Sequence, residues 1–230
     1  MKFNNQVWAF IPARSGSKSI KDKNILILKK KPLIGHSVLT AKKCKTISKI
    51  IFSSDSDKYF KIAKRYAEIF FHKRAKKISG DKTTDFEVFD DFVKNFKGKL
   101  PKFFLHLRPT TPFRNSKEID KIIKKFILNQ NKFSSLRSVS LMSNPSFKSI
   151  IIKNKKLYSP IFNSFDLEKI NLPRQKYKQS FMPNGYIDII KTKSVLNGFL
   201  HGNRVMPYVN KNFISDIDVK KDFEIARLIN

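Results

Sequence analysis

The chain has 230 residues, 40% of them hydrophobic, enough for one substantial core near the upper size of a single domain, so one domain over 1–230 is expected. No stretch nears the roughly 20 uncharged apolar residues of a membrane span or forms a secretory apolar run, and the lone Cys44 excludes an internal disulfide and a cysteine-built zinc site, so a cytoplasmic protein without membrane contact is expected. The formal net charge of +30 raises nucleic-acid binding as a rival class, but only 9 of the 48 basic residues are Arg, and the Lys-, Asn-, Phe- and Ile-rich usage describes a lysine-coated surface instead.

Residues 7–11 form a short apolar run stopped by Pro12, a first strand. Residues 32–45 place Leu33, Ile34, Val38, Leu39 and Ala41 on one helical face. A second strand is expected over 49–53, a helix over 57–66 and a third strand over 69–72. The Phe- and Val-rich spacing of 84–96 predicts a helix capped by Thr83 or Thr84. A strand over 103–107, a helix over 116–128 opened by Ser116, Lys117 and Glu118, and a strand over 136–139 follow. The alternation predicts an α/β fold with a mostly parallel sheet flanked by helices. From about 142 to 183 the rhythm breaks, with a hairpin across Asn154 followed by a Pro-, Asn- and Lys-rich stretch. The alternation resumes at 184–190 and ends with a strand over 204–209 and a helix over 219–228.

The segment from Ile11 to Asn24, IPARSGSKSIKDKN, directly follows the first strand. Ser15, Gly16 and Ser17 let backbone N–H groups approach phosphate oxygens, and Arg14, Lys18 and Lys23 supply the neutralising cations. The spacing is neither that of a Walker loop nor that of a dinucleotide fingerprint. Asp216 and Asp218, two apart in an extended segment, point to one side and suit a hard cation such as Mg²⁺.

The same segment resembles the A-R-x-x-S-K-x-x-x-x-K-N signature of the CMP-sialic acid synthetases. The resemblance continues in order through SSDSD (53–57), Arg74 with SGD (79–81), LRPTTPFR (107–114), LPRQ (172–175), PNG (183–185) and DID (216–218). It implies a Rossmann-like nucleotidyltransferase sheet and transfer of CMP from CTP to the anomeric hydroxyl of a nine-carbon α-keto acid sugar, with pyrophosphate leaving. Arg14, Lys18 and Lys23 would hold the triphosphate, with Asn24 beside it. Arg74 would contact cytosine, with Asp81 ordering that pocket. Arg108, Thr110, Asn184, Gly185 and Asp188 would lie near the sugar. Asp216 and Asp218 would hold Mg²⁺, and Asp218 is also the candidate acceptor for the hydroxyl proton. The irregular 142–183 segment resembles the family's dimerisation arm, which would bring Lys148, Arg174 and Gln175 to a neighbour's sugar site in a homodimer.

The sequence departs from the family where the sugar should sit. Arg108 stands for the usual Gln, Met182 for the Arg before PNG, and Asp188 for a Tyr, while Asp85 follows Asp81 where small residues are usual. The new Arg108 and Asp188 imply a sugar with other substituents, of the legionaminic or a related kind, and Asp85 is left unexplained. A cytidylyltransferase for the eight-carbon acid Kdo is the rival enzyme, against which LPRQ, PNG and DID speak.

Overall fold

The computed structural model describes residues 4–211 and 216–229. β1 (Asn4–Pro12) is buried on both faces over Val7–Ile11, as a central parallel strand requires. A two-residue ribbon, β2 (Ile27–Leu28) with β3 (Lys31–Pro32), leads into α1 (Leu33–Lys43). β4 (Ile47–Ser54), α2 (Asp57–Lys64), β5 (Phe70–Lys73) and α3 (Asp85–Asn95) come next. They are followed by β6 (Pro101–His106), α4 (Ser116–Leu128) and β7 (Ser135–Leu141). The hairpin of β8 (Ile151–Lys153) and β9 (Lys156–Tyr158) turns through Asn154 and Lys155, both at positive φ. β10 (Phe181–Lys191), α5 (Thr192–Leu196), β11 (Val205–Val209) and α6 (Lys220–Leu228) close the chain.

Seven strands form one sheet in the order β11-β7-β10-β6-β1-β4-β5, and β10 alone runs against its neighbours. Alternate residues of β1 serve the two faces. Val7, Ala9 and Ile11 pack with α1, α2 and α4 through Ile34, Val38, Tyr59, Ile119 and Phe126. Trp8 and Phe10 pack with α3 and α5 through Phe89, Phe92 and Val195, and the Phe10 and Phe89 rings stack at 4.1 Å. The doubly covered α/β sheet agrees with the sequence reading.

Two local details go beyond the sequence reading. The cap of α4 is Asn115, whose side chain accepts from the Lys117 and Glu118 amides, and Ser116 is the first helical residue. The short α5 is additional, since five residues carry no legible period. Cys44 caps the end of α1 in the core, where burial pushes its thiol up to about 12. No helix of the described residues is long and apolar enough to cross a membrane.

Candidate active site

The carboxyl ends of parallel strands face one edge of the sheet, where ligands of open α/β folds bind. Loops leaving β1, β4, β5 and β6 carry Arg14 to Lys23, Asp55, Arg74, and Arg108 to Thr111 to that edge. Because β10 runs the other way, its beginning reaches the same edge. Asp188 pairs with His106 at the end of β6, which sets Asn184 and Gly185 beside the loop after β6. The register between β10 and β7 shifts from Pro183 to Asp188, so PNG bulges outward. Gly185 has φ +67°, and a Cβ there would stand 2.8 Å from Thr111 Oγ1 and 3.2 Å from Asp216 Oδ2.

A cavity of about 550 Å³ opens at this edge. Its walls include Arg14, Ser17, Lys18, Lys23 and Asn24 from the first loop, Arg74 and Asp81 from the second, and Arg108, Thr110 and Asp218 opposite. The sequence reading named all of these. It also named Ser15 and Gly16, which shape the loop: the Ser15 amide and hydroxyl both donate to the Asp55 carboxylate at 2.7 and 2.5 Å, and Gly16 has positive φ. Asn24 Nδ2 donates to the Arg14 carbonyl at 2.9 Å and closes the loop on itself.

The cations are held by carboxylates. Asp81 takes Arg14 and Lys18, each at 2.6 Å, and Lys18 foremost holds its carboxyl below the usual range. Lys23 Nζ lies 3.2 Å from Asp218 Oδ1. Arg74 is buried, and Ser53 accepts from it through Oγ at 2.8 Å and its carbonyl at 3.1 Å. Burial pushes the Arg74 guanidinium down to about 10, still charged at neutral pH. Between Asp216 and Asp218, Ile217 is buried, and its amide donates to the Thr110 carbonyl. This ties the acidic segment to the loop after β6. Two partly exposed carboxylates, one on the cavity wall, fit a hard divalent cation by donor chemistry. Among the described residues no group of three or more His, Cys, Asp or Glu side chains is arranged to hold a metal ion, so the remaining donors would come from substrate and water.

The departures from the family motifs meet each other. Arg108 donates through Nη1 to Asp188 at 2.8 Å and through Nη2 to Asp85 at 2.7 Å, and Arg137 stands 3.6 Å from the far oxygen of Asp188. Burial works against the charged form of Asp85, but the adjoining cations hold its carboxyl down at about 2. Asp188, expected beside the sugar, is buried at 1% exposure and turned onto Arg108 and Arg137, outside the cavity wall. Its charge is spent on these neighbours. Asp85 lines the cavity and so joins the site from which the sequence had left it apart.

Asn184 is buried, donating to Ser140 Oγ and accepting from the Tyr186 amide, which holds the bulge. Lys148, Arg174 and Gln175 lie on the irregular segment, away from this cavity. Two residues inside quoted motifs went unassigned. Asp55, in SSDSD, anchors the first loop. Arg114, at the end of LRPTTPFR, is half-buried and donates to the carbonyls of Arg108, Gly185 and Tyr186, stapling the loop after β6 to β10. A cation closing a Pro-rich loop was the available signal.

The mostly parallel sheet, with a cation-lined cavity at its carboxyl edge, defines a nucleotidyltransferase class. A family model described as cytidylyltransferase matches residues 8–215, and the chain belongs to that family. The N-acylneuraminate cytidylyltransferase of Escherichia coli O18:K1:H7 is 32% identical over 96% of this chain, which spans 51% of that relative's length. The CMP-N,N'-diacetyllegionaminic acid synthase of Legionella pneumophila is 26% identical over 96% of this chain and 94% of its own. A solved CMP-2-keto-3-deoxy-manno-octonic acid synthetase superposes with a TM-score of 0.67 at 12% identity, covering 96% of this chain and 97% of that one. That likeness is one of fold.

Proposed function

We propose that the protein transfers CMP from CTP to the anomeric hydroxyl of a nonulosonic acid and releases pyrophosphate. The observation that carries this reading is the convergence of Arg14, Lys18, Lys23 and Arg74 with Asp218 around one cavity. The names of the relatives, which act on sialic and legionaminic acids, support the sugar class.

In this reading Arg14, Lys18 and Lys23 hold the triphosphate, and the carboxylate of Asp81 yields the first two as phosphate oxygens replace it. Arg74, charged and fixed, faces the base. The sugar hydroxyl attacks the α-phosphorus in line, the bond to the β-phosphate oxygen breaks, and the loop cations stabilise the leaving pyrophosphate. An Oδ of Asp218 takes the hydroxyl proton. Asp216 and Asp218 would hold Mg²⁺, which supplies charge neutralisation at the phosphates.

The irregular 142–183 segment supports a homodimer. Ile150, Ile151, Ile152, Leu157, Phe165 and Leu172 are all exposed there, while Phe147 stacks only on Tyr177 and tilts against Phe162 of the same segment. An apolar surface of this kind suits a partner subunit, and Lys148 and Arg174 would complete that partner's sugar site.

The test is pyrophosphate release from each of the four nucleoside triphosphates with a panel of α-keto acid sugars. CTP with a nonulosonic acid should turn over, Mg²⁺ chelation should stop it, and Kdo should serve poorly. Turnover with Kdo alone, or with every nucleotide equally, would contradict the assignment.

A further inference from the structure

Behind the cavity wall a line of four side chains runs through the protein from α3 to the nucleotide site. Asp91, on the middle of α3, lies with Oδ2 at 2.9 Å from His72 Nε2 on β5. The other ring nitrogen, Nδ1, is 2.9 Å from Ser53 Oγ at the end of β4. Ser53 Oγ in turn accepts from Arg74 Nε at 2.8 Å. Ser53 is wholly buried, and His72 and Arg74 are 9% and 7% exposed, so the inner bonds of the line are shielded from water, while Asp91 at its outer end is partly exposed.

The chemistry of the groups fixes the direction of the line. A guanidinium can only donate and a carboxylate only accept, so Ser53 Oγ accepts from Arg74 and the His72 ring carries its proton on Nε2, pointing at Asp91. In a neutral ring Nδ1 is then unprotonated and accepts from the Ser53 hydroxyl. Burial favours the neutral ring this tautomer needs. Phe10 and Phe92 flank the imidazole at ring distances of 6.2 and 5.2 Å and hold its plane. A Ser, His and Asp in sequence would suggest a nucleophile, but Ser53 Oγ is sealed from solvent and already accepts from a cation, which removes that use.

We propose that His72 and Asp91 are positioning residues for the nucleotide: through Ser53 they orient the Arg74 guanidinium toward the base of CTP. The inference rests on the reading of the cavity as a CTP site. Arg74 emerges from the end of β5 on a long side chain; the Ser53 carbonyl takes Nη2, and the second contact, from Nε to Ser53 Oγ, orients the guanidinium only if the Ser53 hydroxyl is itself held. His72 does that, and Asp91 holds the imidazole. The line also couples α3 to the cavity at a second point, since the same helix begins with Asp85 on the cavity wall.

The test compares kcat and KM for CTP in the full-length protein. His72→Leu and Asp91→Leu should each raise KM for CTP about tenfold, with kcat changed less than about threefold, because the bonds act on nucleotide binding rather than on the reacting atoms. His72→Gln, whose amide oxygen can accept from Ser53 while its NH₂ donates to Asp91, should bring KM back to within about threefold of wild type. A wild-type protein that turns over no CTP would remove the nucleotide reading itself. An active wild type whose two Leu variants keep its KM, or a Gln variant no better than Leu, would overturn the relay alone. The nitrogen NMR spectrum of ¹⁵N-histidine protein, with His72 assigned by its loss in a folded His72→Gln, reads the tautomer in the wild-type protein itself. An unprotonated Nδ1 and a protonated Nε2 are expected, and a protonated Nδ1 would overturn the proposal.

Discussion

His106 sits at the end of β6 between Asp85 and Asp188, at 3.9 and 3.8 Å, wholly buried. Among the described residues neither ring nitrogen has a hydrogen-bond partner. Burial, with Arg108 nearby, pushes its pKa down to about 3. The unfolded chain takes a proton on this ring near pH 6.5 and the folded chain does not, so acidification favours unfolding. Stability should therefore fall as pH drops from about 6.5 toward about 3, with this residue contributing up to about 1.4 kcal/mol per pH unit. Urea titrations across that window should show a shallower pH slope for His106→Gln. An unchanged slope would mean that the ring is not kept neutral. At this scale the sequence exposed much of the cavity, because Arg14, Lys18 and Lys23 follow the first strand closely and all three line the wall. Sequence shows that Arg108 and Asp188 replace other residues, but not that Arg108 turns toward Asp188. One introduced guanidinium between Asp85 and Asp188 explains both carboxylates together.

The elements of the first 140 residues were legible because their periods are clean. α3 repeats Phe and Val on one face, and α4 repeats Ile and Phe. The direction of β10 was not legible. Tyr186–Ile190 are buried on both sides, and a run without an exposed face reads the same for parallel and antiparallel strands. The start of α3 matters beyond its own stability. Thr84 Oγ1 accepts from the Glu87 amide at 3.2 Å, and Glu87 Oε2 accepts from the Thr84 amide at 2.6 Å, a reciprocal cap just before Asp85. Thr84→Ala should lower stability by about 1 kcal/mol, or Tm by roughly 2–4 °C for a chain of this size, while Thr84→Ser should retain most of it. KM for CTP should rise with the Ala variant, because Asp85 and Arg108 both line the cavity. A melting temperature and KM unchanged in Thr84→Ala would mean that the packing of Phe89 and Phe92 alone positions this end.

For the whole molecule, the cavity is built by one chain, whereas Lys148 and Arg174 stand away from it on a segment rich in exposed apolar residues. The homodimer proposed above, with shared sugar sites, would reconcile the two. Mixing an Asp218→Asn subunit with an Arg174→Ala subunit should then restore activity to a fraction of the dimers, since one site of each mixed dimer is free of both lesions. Mixtures no more active than either parent, with subunit exchange verified, would contradict shared sites.

The most direct measurement of the central claim follows the anomeric oxygen. With a nonulosonic acid labelled by ¹⁸O at the anomeric hydroxyl, CTP and Mg²⁺, mass spectrometry should find the label in the CMP-sugar and none in the pyrophosphate formed in equal amount. Label in pyrophosphate, or CTP consumed without a CMP-sugar, would contradict attack of the sugar hydroxyl on the α-phosphorus.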